Sequence, residues 1–283
     1  MGISERANSR ISDFESKLSF DALISPTGPF YAGVDLGTTY IVTALVDHEG
    51  VPAAGVLTRS QSSIRDGLVL DYVGALSILR RQIDTLHKAG FRFDWGGAAF
   101  PPGTTGRNVE TYAHILRSMG MEVAGLIDEP TAASLALEIT DGAVVDVGGG
   151  TTGISVLREG EVVYTADEPT GGIHVDLVLA GHFRISVEEA ERVKRDPEQQ
   201  GRIYPLIRPV FQKMASIVSR HLQGHSVDTL YLVGGTCCFP GIKDVMESET
   251  GLPVVLPVNP LLVTPLGIAL SCFRMAKTGS PPS

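Results

Sequence analysis

Apolar positions along this chain switch period repeatedly, from two to between three and four residues, and the switches follow an order that occurs twice. From Phe30 onward, Tyr31–Asp35, Tyr40–Val46 and Val51–Thr58 read as three successive strands. Asp71 to Leu86 then carries Val73, Leu76, Leu79, Ile83 and Leu86 at helical spacing. Gly97–Phe100 reads as a short buried strand ended by Pro101-Pro102, followed by a helix over Arg107–Met119 and a strand over Met121–Ile127. Pro130 opens a helix that runs to Ile139, because proline is tolerated in a helix's first turn. The second half predicts strands at Ala143–Asp146, Gly153–Leu157 and Glu161–Thr165, then helices at Ile173–Phe183 and Val187–Lys194. After a break at Asp196-Pro197, a helix over Pro209–Leu222 leads to a strand at Thr229–Val233. A helix at Ile242–Thr250, a strand at Pro253–Leu256 and a final helix at Gly267–Met275 complete the order.

Three strands, helix, strand, helix, occurring twice, predicts a duplicated α/β fold with two lobes. The expected divisions are an extension over residues 1–29, a first lobe over 30–141, a second over 142–276 and a disordered tail over 277–283. The final helix is expected to pack back toward the first lobe. In the extension, Ala7, Ile11, Phe14 and Leu18 form one apolar stripe on a helix, ahead of a linker at Ser25-Pro26-Thr27-Gly28-Pro29. That stripe fits docking on the protein's own core or on a partner.

The duplication extends to two glycine–threonine hairpins. The first is Val34-Asp35-Leu36-Gly37-Thr38-Thr39; the second is Val145-Asp146-Val147-Gly148-Gly149-Gly150-Thr151-Thr152, with the aspartates 111 positions apart. Glycines let backbone N–H groups converge on an anion without Cβ obstruction, and threonine hydroxyls add neutral donors. The aspartates repel phosphate, so their natural partner is a divalent cation reached through its water shell, as Mg²⁺ prefers. A lone hairpin of this kind reads equally well as a tight turn; the matched pair reads as a polyphosphate grip. Two further elements join them. Val233-Gly234-Gly235-Thr236 follows a strand, where glycines let a flat base or ribose lie against backbone. Glu129, in Asp128-Glu129-Pro130-Thr131-Ala132-Ala133, ends another strand, where a carboxylate can orient a water or simply complement a helix dipole.

Composition narrows the partners. Hydrophobic residues make up 43% of the 283 residues, enough for a sizeable core. A net charge of −9 argues against a nucleic-acid surface and against anionic-membrane docking. No apolar run reads as long enough to span a bilayer, and Met1 to Leu18 has no signal-peptide pattern. Cys237, Cys238 and Cys272 lack metal-ligand spacing and read as buried thiols of a cytosolic protein. His221 and His225 read as cations favoured near a helix C-terminus, and Trp95 as a packed anchor.

The four elements together resemble the actin, heat-shock chaperone and sugar-kinase superfamily over about Tyr31 to Phe273, which implies an actin-like (ribonuclease H-like) fold around a nucleotide cleft. Glu129-Pro130-Thr131-Ala132-Ala133 and Asp146-Val147-Gly148-Gly149-Gly150-Thr151 are similar to the 70-kDa heat-shock ATPase class, as is Glu191-Arg192-Val193-Lys194-Arg195, a nucleoside-contacting helix there. Arg65-Asp66-Gly67-Leu68-Val69, Phe100-Pro101-Pro102-Gly103-Thr104 and Ala180-Gly181-His182-Phe183-Arg184-Ile185-Ser186 resemble the EutJ family of ethanolamine-utilisation proteins. The resemblance implies ATP or ADP with Mg²⁺ as cofactor. Asp35 and Asp146 would hold hydrated Mg²⁺ and, with Glu129, form the catalytic set, Glu129 positioning the attacking water. Gly37, Thr38, Thr39, Gly148, Gly149, Gly150, Thr151 and Thr152 would cradle phosphates; Glu191, Lys194, Arg195, Gly234, Gly235 and Thr236 would hold adenosine.

Three departures modify that picture. No lysine lies between Thr39 and Leu86, where heat-shock chaperones place a catalytic one; Arg59, Arg65, Arg80 and Arg81 are the cations of that stretch. Losing one transition-state donor costs about 10²–10³ in rate, so a weak ATPase at most is expected. No peptide-binding domain is expected after the nucleotide fold, and the short connection from Lys194 to Pro209 implies a reduced lid subdomain. The leading expectation is a chaperone-like, nucleotide-gated switch in the cytoplasm, associated with or inside a bacterial microcompartment. Its expected partners are ethanolamine microcompartment enzymes or shell proteins, with a homodimer also open. The alternatives are a non-catalytic scaffold recruiting cargo through the N-terminal helix, an actin-like polymer and a small-molecule kinase.

Overall fold

A computed structural model describes residues 3–18, 26–60 and 72–278. Its frame is a pair of five-stranded sheets of identical topology. The first contains β1 (Tyr31–Leu36), β2 (Tyr40–Val46), β3 (Pro52–Arg59), β4 (Trp95–Phe100) and β5 (Glu122–Asp128), ordered β3-β2-β1-β4-β5. The second contains β6 (Gly142–Val147), β7 (Thr152–Arg158), β8 (Glu161–Glu168), β9 (Leu230–Val233) and β10 (Val254–Val255), ordered β10-β9-β6-β7-β8. In each, three strands form an antiparallel meander and two more add in parallel beside the first. Parallel additions need crossovers, and helices supply them.

The first sheet is covered by α2 (Tyr72–Lys88) and α3 (Arg107–Ser118), which bury Leu79, Leu86, Ile115 and Leu116 against it. The second is covered by α5 (Gly172–Phe183), α6 (Val187–Arg195), α7 (Pro197–His221) and α8 (Ile242–Thr250), with Val175, Leu179, Phe211 and Met214 in its core. Between the sheets lie α4 (Glu129–Leu137) and α9 (Val263–Thr278), joined through Ala133, Leu137, Leu266 and Ala269. They approach so closely that a Cβ on Gly267 would collide with the Ala132 carbonyl.

Three expectations change here. The helix expected at Pro209–Leu222 begins at Pro197, because Asp196 caps it by accepting from the Glu198 N–H at 3.0 Å, and Pro197 fits its first turn. Ile203 and Ile207 are fully buried, so packing overrides the interior prolines Pro205 and Pro209. The lid is therefore a cap of α5, α6 and the first half of α7. The final helix runs to Thr278 rather than Met275, which takes in the first two residues of the expected tail; residues 279–283 lie outside those described. And Pro260–Thr278, with mean hydropathy 1.2, is long and apolar enough to cross a bilayer, contrary to the sequence expectation. Its apolarity has a local cause: 67% of that segment is buried between the lobes.

The N-terminal helix α1 (Glu5–Ser16) docks on the protein's own core. Ser4 caps it, accepting from the Ala7 N–H at 3.0 Å, and Ala7, Ile11 and Phe14 are fully buried. The Phe14 ring lies against Gly55 of β3, where a Cβ would stand 2.6 Å from it. Arg6 and Arg10 pair with Glu138 beyond α4 at 3.4 and 3.1 Å, and Asn259 donates to Glu15 at 3.0 Å. The apolar stripe thus spans both lobes and is consumed within the chain. Phe14→Ala removes a fully enclosed ring and is expected to lower unfolding free energy by about 3 kcal/mol in urea denaturation. A loss below about 1 kcal/mol would contradict this docking.

Candidate functional site

The equivalent first strands of the two lobes, β1 and β6, each carry an aspartate at their penultimate position, Asp35 and Asp146. Both face a cavity of about 330 Å³ between the lobes, together with Glu129 at the start of α4. Asp128 performs the helix capping itself, accepting from the Thr131 N–H at 3.0 Å and its hydroxyl at 2.7 Å. Glu129 is left free to face the cleft. Each carboxyl keeps part of its surface open to the cavity while protein surrounds the rest. Burial, then the Asp146 charge, raises Asp35 to about 7. Burial raises Asp146 to about 6 against the bond from the Thr264 hydroxyl at 3.1 Å, and burial with Asp146 and Asp35 raises Glu129 well above the carboxylate range.

The glycine loops enclose these acids. Gly37 cannot carry a side chain, since a Cβ would stand 2.7 Å from the Tyr40 carbonyl. A Cβ on Gly149 would collide with the Thr39 hydroxyl, so the two loops touch across the cleft. The second loop closes through the Gly148 N–H donating to Thr151 O at 3.0 Å, and is held from behind by Gly172 and Ile173 N–H groups donating to Gly148 and Gly149 carbonyls at 3.0 and 2.8 Å. Thr151 is hydrogen-bonded to Asp167. Gly234, at φ 91°, lies on Asp146 and the Val147 carbonyl, and Thr236 donates to Gly148 O at 2.8 Å.

Along the other wall, α6 presents Glu191, Lys194 and Arg195 to the same cavity, beside Gly234, Gly235 and Thr236. Lys194 pairs with Asp176 of α5 at 2.7 Å; burial lowers its ammonium pKa, while Asp176 acts against that. Glu191 pairs with Arg59 of the opposite lobe. Of the expected site residues, Thr152 alone is turned away: it is fully buried in β7, and its hydroxyl is bonded to the Thr170 carbonyl. Its role is to hold the segment behind the loop.

Other expectations are also corrected. Trp95 opens β4 with 37% of its surface exposed and is not a packed anchor. Cys238 is exposed at the cleft wall, while Cys237 and Cys272 are buried. His221 does more than complement a helix end: it joins Tyr164 at 2.7 Å to Glu168 at 2.6 Å, tying α7 to β8. The 65–69 motif lies outside the described residues. Tyr112 and Thr264 also line the cleft, and neither had a local sequence signal. Arg59 reads in the sequence only as one cation of its stretch; in the structure it faces Tyr40 across the β2–β3 pair, next to the first loop.

The donor set fits a hydrated divalent cation. Asp146 raises the pKa of Asp35 and Glu129 beyond the effect of burial, and Thr264 gives the one side-chain hydrogen bond to Asp35, Asp146 or Glu129 among the described residues. No group of three or more His, Cys, Asp or Glu side chains among those residues is arranged to bind a metal directly. Contact through water, the mode Mg²⁺ favours, is compatible with this set.

Two equivalent sheets around a carboxylate-floored, glycine-walled cleft define the actin-like ATPase fold class. A family model for the type IV pilus assembly protein PilM matches residues 112–267. MreB5 of Spiroplasma citri, solved bound to AMPPNP, superposes with TM-score 0.74 at 16% identity, covering 89% of this chain and 98% of its own, a likeness of fold. Ethanolamine utilization protein EutJ of Escherichia coli is 45% identical over 86% of both chains. The crystal structure of EutJ from Carboxydothermus hydrogenoformans has TM-score 0.86 at 42% identity, covering 94% of this chain and 98% of that one. The chain belongs to the EutJ family.

A carboxyl with a raised folded pKa holds its proton more tightly folded than unfolded. The stability this contributes is full below the unfolded value of 3.8 and is lost as pH rises through about 6 for Asp146 and about 7 for Asp35. Metal-free protein is therefore expected to lose Tm between about pH 4 and pH 8. Asp35→Asn should make that decline shallower. Identical declines in calorimetry would show that Asp35 carries no such strain.

Proposed function

We propose that this chain is a nucleotide-binding conformational switch of the ethanolamine-utilisation system, taking ATP or ADP with Mg²⁺ and hydrolysing ATP slowly. The observation that carries the reading is the convergence of Asp35, Asp146 and Glu129 between two touching glycine–threonine loops. Backbone N–H groups of Gly37 to Thr39 and Gly149 to Thr151 would bind the phosphates from both sides. Mg²⁺, when bound, supplies the positive charge that the acids and phosphates both need. Glu129, uncommitted to capping, would orient a water toward the terminal phosphate and take its proton. No lysine or arginine of the described residues lines the phosphate end of the cavity; Lys194 and Arg195 stand on the α6 wall. The rate is accordingly low.

The lobes meet mainly through α4 and α9, so occupancy of the cleft can change their angle and the surface offered to a partner. The partners proposed are microcompartment enzymes or shell proteins, met in the cytoplasm at or inside the compartment, in a chaperone-like role. The scaffold alternative through the N-terminal helix is disfavoured, because the helix's apolar stripe is buried.

Differential scanning fluorimetry tests the reading. ATP or ADP with Mg²⁺, at about 100 times Kd, adds about 2.7 kcal/mol of stability, a shift of a few degrees. Asp146→Asn should remove most of it. No shift with either nucleotide would sink the proposal.

A further inference from the structure

Two contacts cross the mouth of the cleft, and both join the same pair of structural neighbours. Arg59 ends β3 and is the cross-strand partner of Tyr40, which begins β2. Opposite them, Glu191 and Arg195 lie four residues apart on α6 and so share a face. The Arg59 guanidinium pairs with the Glu191 carboxylate, and the Arg195 guanidinium stands 5.9 Å from the Tyr40 ring centroid, within cation–π range.

Glu191 is only 8% exposed, so its charge is largely withdrawn from water and requires a cation. The lysine nearest it in sequence, Lys194, is committed to Asp176 at 2.7 Å. The cation paired with Glu191 is Arg59, from the other lobe, so separating the lobes at this point breaks the pair. The backbone strengthens the connection: the Ser60 N–H, next to Arg59, donates to the Thr39 carbonyl of the first phosphate loop at 2.8 Å. What happens at that loop is thus felt one residue from the crossing.

We infer that Arg59 is a positioning residue through which the first lobe completes the nucleoside end of the cleft, and that the Arg59–Glu191 and Tyr40–Arg195 contacts form a two-point latch governing nucleotide release. The lobes are joined at the far side by α4 and α9, so a nucleotide leaves by their separation at the mouth. Contacts present in the closed form and broken in the open one slow that separation. The part concerning release rests on the nucleotide reading above; the latch itself does not.

The experiment uses the full chain and two measurements. Hydrogen–deuterium exchange of the nucleotide-free protein reads opening at the end of β3 and in α6. Stopped-flow displacement of a fluorescent ADP analogue with Mg²⁺ reads release. Arg59→Ala should speed exchange in both segments and release by about tenfold, as truncating one partner of a desolvated charge pair acts on dissociation. Arg59→Lys should keep most of the protection. The charge swap R59E/E191R should restore slow exchange, which a merely structural role for Arg59 would not produce. Wild-type exchange in Arg59→Ala, or a swap that fails to restore protection, overturns the latch. Faster exchange with unchanged release overturns its control of the nucleotide. If the wild-type chain binds no analogue at all, the nucleotide reading and the release role fail together, while exchange alone still decides whether the latch exists.

Discussion

Three carboxyl groups crowded at one point, with protein behind them and no cation of the described residues among them, set the terms for this structure. Burial raises the pKa of Asp35, Asp146 and Glu129, and the Asp146 charge adds to the rise at Asp35 and, with Asp35, at Glu129, so the cleft is strained as long as all three are ionised. A fold retains such an arrangement when something bound relieves it. The surrounding architecture fits a ligand that brings both a divalent cation and an anion: acids below, backbone N–H groups from two glycine loops on either side. Neither half works alone, because phosphate meets the acids unfavourably and a hydrated cation does not need the glycine walls.

The duplication makes that geometry cheap to build. Two sheets of the same topology place equivalent aspartates at equivalent strand ends, and α4 with α9 turns them toward each other. Gly267, lying on the Ala132 carbonyl, sets how near the lobes stand. The helix α1 adds a brace at the back, reaching Gly55 in one lobe and Asn259 in the other. The front is held by Arg59 and Arg195, and the cleft lies between these two sets of contacts.

Much of this was legible in the sequence, for identifiable reasons. The order of elements followed from changes of apolar period, and the paired loops from glycines whose positions repeat. The cleft residues carried over by resemblance do line one cavity, with the exception of Thr152. That residue failed because it is the first of β7, where strand alternation turns the side chain inward. The α7 start was missed because Asp196-Pro197 read as a break, whereas the aspartate caps the helix and the burial of Ile203 and Ile207, which only tertiary packing reveals, sustains it. Tyr112, Thr264 and the Arg59–Glu191 pair were invisible because each depends on which segments meet across the lobes, and no local spacing encodes that. The long apolar final segment did not stand out in the sequence; burial inside the protein demands the same composition as a bilayer.

The account's central claim is that the acids and the glycine loops act as one site for a nucleotide together with a divalent cation. Equilibrium titration of the protein with ADP near neutral pH, in excess Mg²⁺ and again in excess chelator, tests it most directly. The account predicts saturable one-to-one binding with Mg²⁺ and an affinity weaker by about tenfold or more, about 1.4 kcal/mol, under chelation. Affinity that is indifferent to the chelator, or absent in both conditions, would contradict it.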